Sequence, residues 1–274
     1  METKEDENVI KEPFELSPDG WVYTWRSKEE QYPALRAGIT TRHAPTLKFA
    51  TPHADDASVR MNRMRFAGYI GMEADKMTYA EQVHESGVYV IGEGEVGRGH
   101  ATQDDAIPRT DALVTTRIGV PLIIFVADCA PLFFYEPERK VIALVHAGWR
   151  GTAADIIRRV LEVLDACGAS RKHLHVAIGP CIQGSSYEID HPVIDALSKV
   201  DPEAVRRATK KTRPGHFLLD LPTFHRILLE KEGIPKVHVE SSHYCTYTLA
   251  NDFYSYRREG SAAGRMAAYM VQMF

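Results

Sequence analysis

Val126–Thr152, V-A-D-C-A-P-L-F-F-Y-E-P-E-R-K-V-I-A-L-V-H-A-G-W-R-G-T, decides the fold. Two apolar runs, Leu132–Tyr135 and Val141–Val145, flank the short polar break E-P-E-R-K. That pattern predicts two buried strands joined by a hairpin loop. Cys129 precedes the first strand and His146 follows the second. Antiparallel partners begin and finish together, so the hairpin brings its two outer ends to one edge of the sheet. A thiol and an imidazole that stand 146 − 129 = 17 positions apart are therefore predicted to be neighbours. The A-G-W-R-G-T that follows reads as a glycine-bracketed turn into a helix, and the chemistry is expected here.

Upstream, Asp111–Thr116 and Val120–Ala127 are apolar, β-branched strands that deliver the chain to Asp128 and Cys129. Met77–His84 reads as a strand that places Gln82 and His84 on one face, since side chains alternate with period two. Between them, Gly92–Thr110 is a polar, glycine-rich loop. Its G-E-G-E-V-G formally matches G-x-G-x-x-G, but no helical pattern follows and two glutamates would repel a pyrophosphate. Nearer the N-terminus, Trp21–Trp25 and Leu35–Thr41 read as strands. Asp55–Tyr69 reads as a helix with Val59, Met61, Met64, Phe66 and Ile70 on its buried face and Gly71 as its stop.

Downstream, Thr152–Cys167 predicts one helix with a T-x-x-D capping signal at Thr152 and Asp155. Ile156, Ile157, Val160, Leu161 and Leu164 form its apolar stripe. His175–Ile178 is a strand, followed by G-P-C-I-Q-G. Short helices are expected over Pro192–Lys199 and Pro202–Ala208, then a basic break, T-K-K-T-R-P-G. A strand over Phe217–Leu221, a helix over Pro222–Glu232 and a strand over Val237–Glu240 lead to Cys245 and Thr246. No repeat, low-complexity tract or linker divides the chain. One α/β domain spanning residues 1–274 is expected, with residues 1–20 as a peripheral arm.

The composition is that of an ordinary globular protein, 44% hydrophobic and 26% charged over 274 residues. A formal net charge of −4 gives no broad cationic field, which argues against a nucleic-acid partner. The N-terminus is densely charged and lacks an apolar signal core, and no apolar run approaches the length needed to span a bilayer. Cys129, Cys167, Cys181 and Cys245 are widely spaced and form no C-x-x-C pair, so a reducing, cytoplasmic setting is expected.

The residues alone leave Cys129 and His146 three readings. They are buried and inert, or a nucleophile pair in which the imidazole lowers the thiol pKa, or part of a zinc site with an open position. The zinc reading needs a third ligand, and His84, at the end of Q-V-H, is the natural candidate. Asp128 could orient an imidazole or accept a proton. His173 and His175 form an H-x-H pair at a helix-to-strand junction, and Cys181 is a candidate lining residue. Arg42, Arg150, Arg257, Arg258 and Arg265 stand beside glycines or at strand ends, where a guanidinium can bind an anion through two bonds.

Ten motifs in order resemble one family: G-I-T-T-R (38–42), Q-V-H (82–84), D-A-L-V-T (111–115), A-D-C-A-P-L (127–132), H-A-G-W-R-G-T (146–152), A-I-G-P-C-I (177–182), Y-E-I (187–189), L-D-L (219–221), C-T (245–246) and F-Y-S-Y-R-R (253–258). The chain resembles the purine nucleoside phosphorylase family once called multi-copper polyphenol oxidoreductases, or laccase-domain proteins. It departs from the pattern at A-A-G-R (262–265), where T-G-R is expected. The resemblance implies a single α/β (α+β) domain with central mixed β-sheets between helices, similar to the toxin-deamidase (Cys–His) fold. It implies zinc, with copper as the alternative metal, on His84, Cys129 and His146. It further implies phosphorolysis of adenosine, inosine, guanosine and methylthioadenosine, with adenosine deamination as a second activity.

Partners are then purine nucleosides and phosphate, with no nucleic acid or membrane, and the chain is expected to be a monomer or homodimer. Arg42, Gln82 and Arg257 are the expected substrate contacts and Asp128 the proton-handling group. Some relatives are described as peptidoglycan-editing factors, which keeps a Cys–His amidase as an alternative. A copper-dependent polyphenol oxidase is a further alternative, but it needs several H-x-H pairs and a Cys–Met–His set, and the sequence has one H-x-H.

Overall fold

The computed structural model describes residues 11–51 and 53–274, so the first ten residues of the expected N-terminal arm lie outside the described residues. In chain order the first half comprises β1 (Phe14–Leu16), β2 (Val22–Trp25), α1 (Arg26–Gln31), β3 (Leu35–Thr40), α2 (Asp56–Tyr69), β4 (Thr78–Tyr79), β5 (Val88–Val90), β6 (Ala112–Thr115) and β7 (Leu122–Val126). The central hairpin is β8 (Ala130–Glu136) and β9 (Val141–Ala147), followed by α3 (Trp149–Ala153), α4 (Ile156–Ala166) and β10 (His175–Ile178). Next come β11 (Glu188–Asp190), α5 (His191–Ser198), α6 (Pro202–Ala208), β12 (Thr209–Arg213), β13 (His216–Leu219), α7 (Leu221–Lys231), β14 (Val239–Ser241), α8 (Tyr256–Glu259) and β15 (Met266–Gln272).

Two six-stranded sheets carry the fold, in the orders β1-β2-β3-β15-β7-β4 and β14-β10-β8-β9-β6-β5, with a small third sheet β11-β13-β12. The apolar runs explain the layering. Along β8, Phe133 and Tyr135 face the core between the two large sheets, while Leu132 and Phe134 face a second core. That second core is built with Ile156, Val160, Leu164 and Phe224 of α4 and α7. Along β7, Leu122, Ile124 and Val126 join the inter-sheet core, while Ile123 and Phe125 pack under Phe66 of α2. Both large sheets are thus covered on both faces, which is why their central strands read as unbroken apolar runs. The result is a mixed α/β domain of helix, sheet, sheet and helix layers, and the chain crosses between the sheets at Ala127–Cys129.

The hairpin forms where its apolar runs place it, with Pro131 opposite His146 in the β8–β9 register. Several other elements depart from the sequence reading, each for a local reason. Only Thr78 and Tyr79 of Met77–His84 form a strand. His84 sits in a turn at φ 61°, because the buried Asp111 carboxylate gathers the amides of Val83, His84 and Glu85. The helix expected over Thr152–Cys167 breaks at Asp155, which adopts φ 65° and makes no capping hydrogen bond. Gly148 starts the first of the two resulting helices.

On α2 the buried face is Val59, Arg63, Phe66 and Ala67, leaving Met61 and Met64 exposed. Arg63 occupies the stripe because its guanidinium lies 4.1 Å from the Phe49 ring and 3.7 Å from the Tyr79 ring, and donates to the Leu47 carbonyl. The basic break is β12, an exposed edge strand whose lysines hide the β pattern while discouraging further strand pairing.

Candidate metal centre

Asp111 organises the centre. It stands immediately before β6, fully buried, and its carboxylate accepts four hydrogen bonds. Three come from the backbone N–H groups of Val83, His84 and Glu85 at 3.0–3.1 Å, and the fourth joins Asp111 to His146 Nδ1 at 2.7 Å. Burial pushes the Asp111 carboxyl up, but His146, through its hydrogen bond and its charge, and the amides outweigh it and hold the group below its ordinary range. With Nδ1–H donated to Asp111, His146 presents Nε2 to the cleft. The loop bearing His84 is tied to the same carboxylate, so one buried side chain sets both imidazoles. The rings stand edge to face, 4.7 Å between centroids.

Cys129 completes the group. One ligand atom from each of His84, Cys129 and His146 lies within 4.8 Å of the others. Gly148 permits the approach, since a Cβ there would fall 2.7 Å from Cys129 Sγ. The glycine of H-A-G-W is therefore needed for space. Burial raises the Cys129 thiol, yet the charge of His146 and hydrogen bonds from His146 and His84 outweigh it and bring the pKa down to about 6. Reciprocally, the thiolate and Asp111 raise His146 against its own burial. A thiolate with two imidazoles is a donor set that zinc accepts while keeping one position open, so the residues present fit that metal. Exposed His84 and half-buried Cys129 leave the trio open to the cleft.

The cleft above the trio holds about 670 Å³, within the range of small-molecule sites. Phe125, Trp149, Tyr187 and Tyr256 supply aromatic walls, and Lys48, Arg150, Arg257 and Arg265 supply cations. Arg257 uses one guanidinium N–H on the Glu188 carbonyl and lies 5.2 Å from the Tyr187 ring. Arg150 stacks 4.5 Å from the Trp149 ring, and Lys48 lies 5.1 Å from the Phe125 ring.

The expected site residues divide accordingly. His84, Cys129, His146, Gln82, Asp128 and Arg257 all line the cleft, whereas Arg42 does not. Arg42 donates to the Ala250 carbonyl, pairs with Glu259 at 3.4 Å and lies over Tyr254, which ties the β3 exit to the C-terminal segment. Gln82 spends its amide on both backbone groups of Phe125, at 2.7 Å each. Asp128, held at φ 89°, accepts from Thr246 Oγ1, Ser255 Oγ and the Arg257 N–H. The orienting role considered for Asp128 falls to Asp111.

Arg258 is a clamp on the carbonyls of Thr246, Tyr247 and Phe253, and Cys181 is fully buried and does not line the cleft. The H-x-H pair separates, with His173 beside Glu138 and His175 beside Tyr32 and His238. Sequence reasoning missed Asp111, Lys48 and Trp149 as site residues. The one sequence signal for Asp111 is an acidic residue at the mouth of the largely apolar strand A-L-V-T.

These features match a known group of proteins along nearly the whole chain. The family described as multi-copper polyphenol oxidoreductase laccase matches residues 36–273. The chain belongs to this family. A member from Geobacillus stearothermophilus, named purine nucleoside phosphorylase YlmD, is 31% identical over 270 residues, covering 94% of this chain and 96% of the relative. The Bacillus subtilis protein of the same name is 29% identical over 269 residues, with the same two coverages. Among solved structures, YlmD from Geobacillus stearothermophilus superposes with a TM-score of 0.90 at 28% identity, over 96% of this chain and all of that one. The Bacillus licheniformis protein YfiH gives 0.88 at 28% identity, over 94% of this chain and 98% of that one. The family's fold is therefore that of this chain. No described helix is long and apolar enough to cross a membrane.

Proposed function

We propose that the protein is a metal-dependent purine nucleoside phosphorylase, with zinc held by His84, Cys129 and His146. The carrying observation is the convergence of that donor set with aromatic walls and partly unspent cations in one cleft of about 670 Å³. Zinc, when bound, supplies Lewis-acid polarisation of an oxygen at the open position. The remaining work falls to the chain. The rings of Trp149, Tyr187 and Tyr256 stack on the purine, burying an apolar face at low conformational cost. Arg257 and Arg150 hold phosphate, whose oxygen must attack the ribose C1 carbon as the bond to the base breaks and its electron pair leaves on the purine nitrogen. Holding both reactants in place is the main contribution expected of such a cleft.

Asp128 serves by placement in this reading. Its carboxylate is occupied by three donors, so it fixes the Arg257 backbone rather than shuttling a proton. Gln82 sets the position of Phe125 in the wall through its two backbone hydrogen bonds. Adenosine, inosine, guanosine and methylthioadenosine are the proposed substrates, and adenosine deamination the second activity. The four cysteines, all free, suit a reducing, cytoplasmic setting. The test is to incubate each nucleoside with and without phosphate, using zinc-loaded and metal-stripped protein, and to follow ribose 1-phosphate, free base and ammonia. Absence of phosphate-dependent base release in the zinc form defeats the proposal.

One observation favours a second reading. Cys129, His146 and Asp111 align as nucleophile, base and orienting carboxylate, with the thiol lowered and the imidazole raised. A metal-free Cys–His amidase acting on peptidoglycan-type peptides would use that arrangement. Zinc separates the two, because it occupies the thiolate and inhibits an amidase while supporting the phosphorylase.

A further inference from the structure

At the opposite end of the central hairpin a second set of metal-type donors converges. Glu136 ends β8, Glu138 lies in the turn to β9, and His173 lies in the turn between α4 and β10. Because β8 pairs with β10, with Tyr135 opposite His175, the two turns meet. His173 Nδ1 is 3.2 Å from Glu138 Oε2 and 3.7 Å from Glu136 Oε1, and one donor atom of each residue lies within 4.8 Å of the others. Seven residues of extended chain at roughly 3.3 Å each separate Glu136 from Cys129, so the two sets stand some ~23 Å apart. They cannot share an ion.

Glu136 is the independent sign of a ligand. The residue is 0% exposed. Its Oε2 accepts from the Arg139 N–H, but its Oε1 is buried and has no hydrogen-bond partner. A bare carboxylate oxygen out of contact with water is costly and rare in native proteins. An ion pair with His173 does not remove the cost, since 3.7 Å exceeds a hydrogen bond and the nearer Nδ1 contact is to Glu138. A cation between the three side chains would satisfy Oε1 directly.

We infer that Glu136, Glu138 and His173 form a second divalent-cation site. Two carboxylates and an imidazole suit zinc or manganese better than copper(I), which prefers thiolate or thioether. Glu138 and His173 are exposed, so water completes the coordination and ions enter freely. The neighbouring Arg139 and Lys140 are also exposed, and salt screens their opposition. The role is a staple. It joins the β8–β9 turn to the loop before β10 and fixes two adjacent strands of the sheet whose other end carries Cys129 and His146. Nothing in the inference depends on the proposed catalytic activity.

The test strips the full-length protein of metal and titrates it with zinc alone by equilibrium dialysis. Wild type is expected to bind two equivalents, Cys129→Ser one, and the Glu138→Gln, His173→Ala double variant one. The single Glu138→Gln change should weaken the second binding event at least tenfold. In the Cys129→Ser background, zinc should raise the melting temperature only while Glu138 and His173 are present. Both substituted residues are exposed, so folding is not at stake. Equal stoichiometry in wild type and the double variant overturns the site, and so does a zinc-induced shift in Cys129→Ser that survives loss of both residues.

Discussion

Asp111 and His146 are joined twice. The Asp111 carboxylate lies 2.7 Å from His146 Nδ1, and the Asp111 carbonyl accepts the His146 backbone N–H at 2.7 Å. The same carboxylate closes the loop of His84. Asp111→Asn should therefore lower zinc affinity ten- to a hundred-fold, the usual effect of losing a partner of a metal-binding histidine. A chelator competition titration measures this, and unchanged affinity would show that packing alone orients the two rings.

Cys129→Ala should remove one equivalent of zinc and leave the far-UV circular dichroism unchanged. The thiol is half-buried at the cleft floor, outside the apolar clusters of the core. Full zinc in that variant, read by elemental analysis, would refute the assignment.

Phosphate contacts separate by activity. Arg257→Ala or Arg150→Ala should raise the phosphate KM by roughly ten- to a hundred-fold, from loss of a charge-assisted bond of about 1.5–3 kcal/mol. Deamination uses water and should change less. Arg42→Ala, whose guanidinium is held by the Ala250 carbonyl and Glu259, should instead lower thermal stability and leave the phosphate KM unaltered. Equal losses of both activities in the Arg257 and Arg150 variants would move the phosphate elsewhere.

Zinc has no accessible redox change, so the zinc form should not oxidise phenols. Oxygen uptake with a phenolic substrate in copper-free protein checks this. Sustained turnover would falsify the zinc reading of the His84, Cys129 and His146 centre. Outside the centre, the other group of metal-type donors among the described residues holds a single histidine, His173, which gives a copper cluster no frame.

His225 provides a pH test at a residue outside the His84, Cys129 and His146 set. It is fully buried against Thr152 Oγ1, and burial brings its pKa down to about 3. The folded value lies below the unfolded value near 6.5, so this contribution is complete above pH 6.5 and is lost as pH falls from 6.5 toward 3. The slope is about 1 kcal/mol per pH unit in that window. Melting temperatures between pH 7.5 and about 5 should fall less steeply for His225→Gln than for the native chain; parallel curves would remove His225 from the account.

Much of the site was legible because it depends on local pattern. Two apolar runs around E-P-E-R-K determine a hairpin, and hairpin geometry alone brings Cys129 to His146 whatever surrounds them. The motif order likewise fixed the family from the residues. His84 was reached through Q-V-H, though by the wrong local structure, since a left-handed turn presents it where a strand was expected.

Tertiary structure alone decided what depends on residues meeting across the chain. Asp111 stands 27 positions from His84 and 35 from His146, and nothing in D-A-L-V-T reveals that its carboxylate will gather three amides and an imidazole. Asp128 stands beside Cys129 in sequence yet turns to Thr246, Ser255 and Arg257, because its φ of 89° swings the carboxylate toward the C-terminal segment. Arg63 was hidden for the opposite reason, a charge on a buried stripe that the Phe49 and Tyr79 rings and the carbonyls of Leu47, Gly99 and His100 make tolerable. Periodicity reports which face of one element is apolar. Which polar group is buried there, and against what, is set by partners that the sequence does not place.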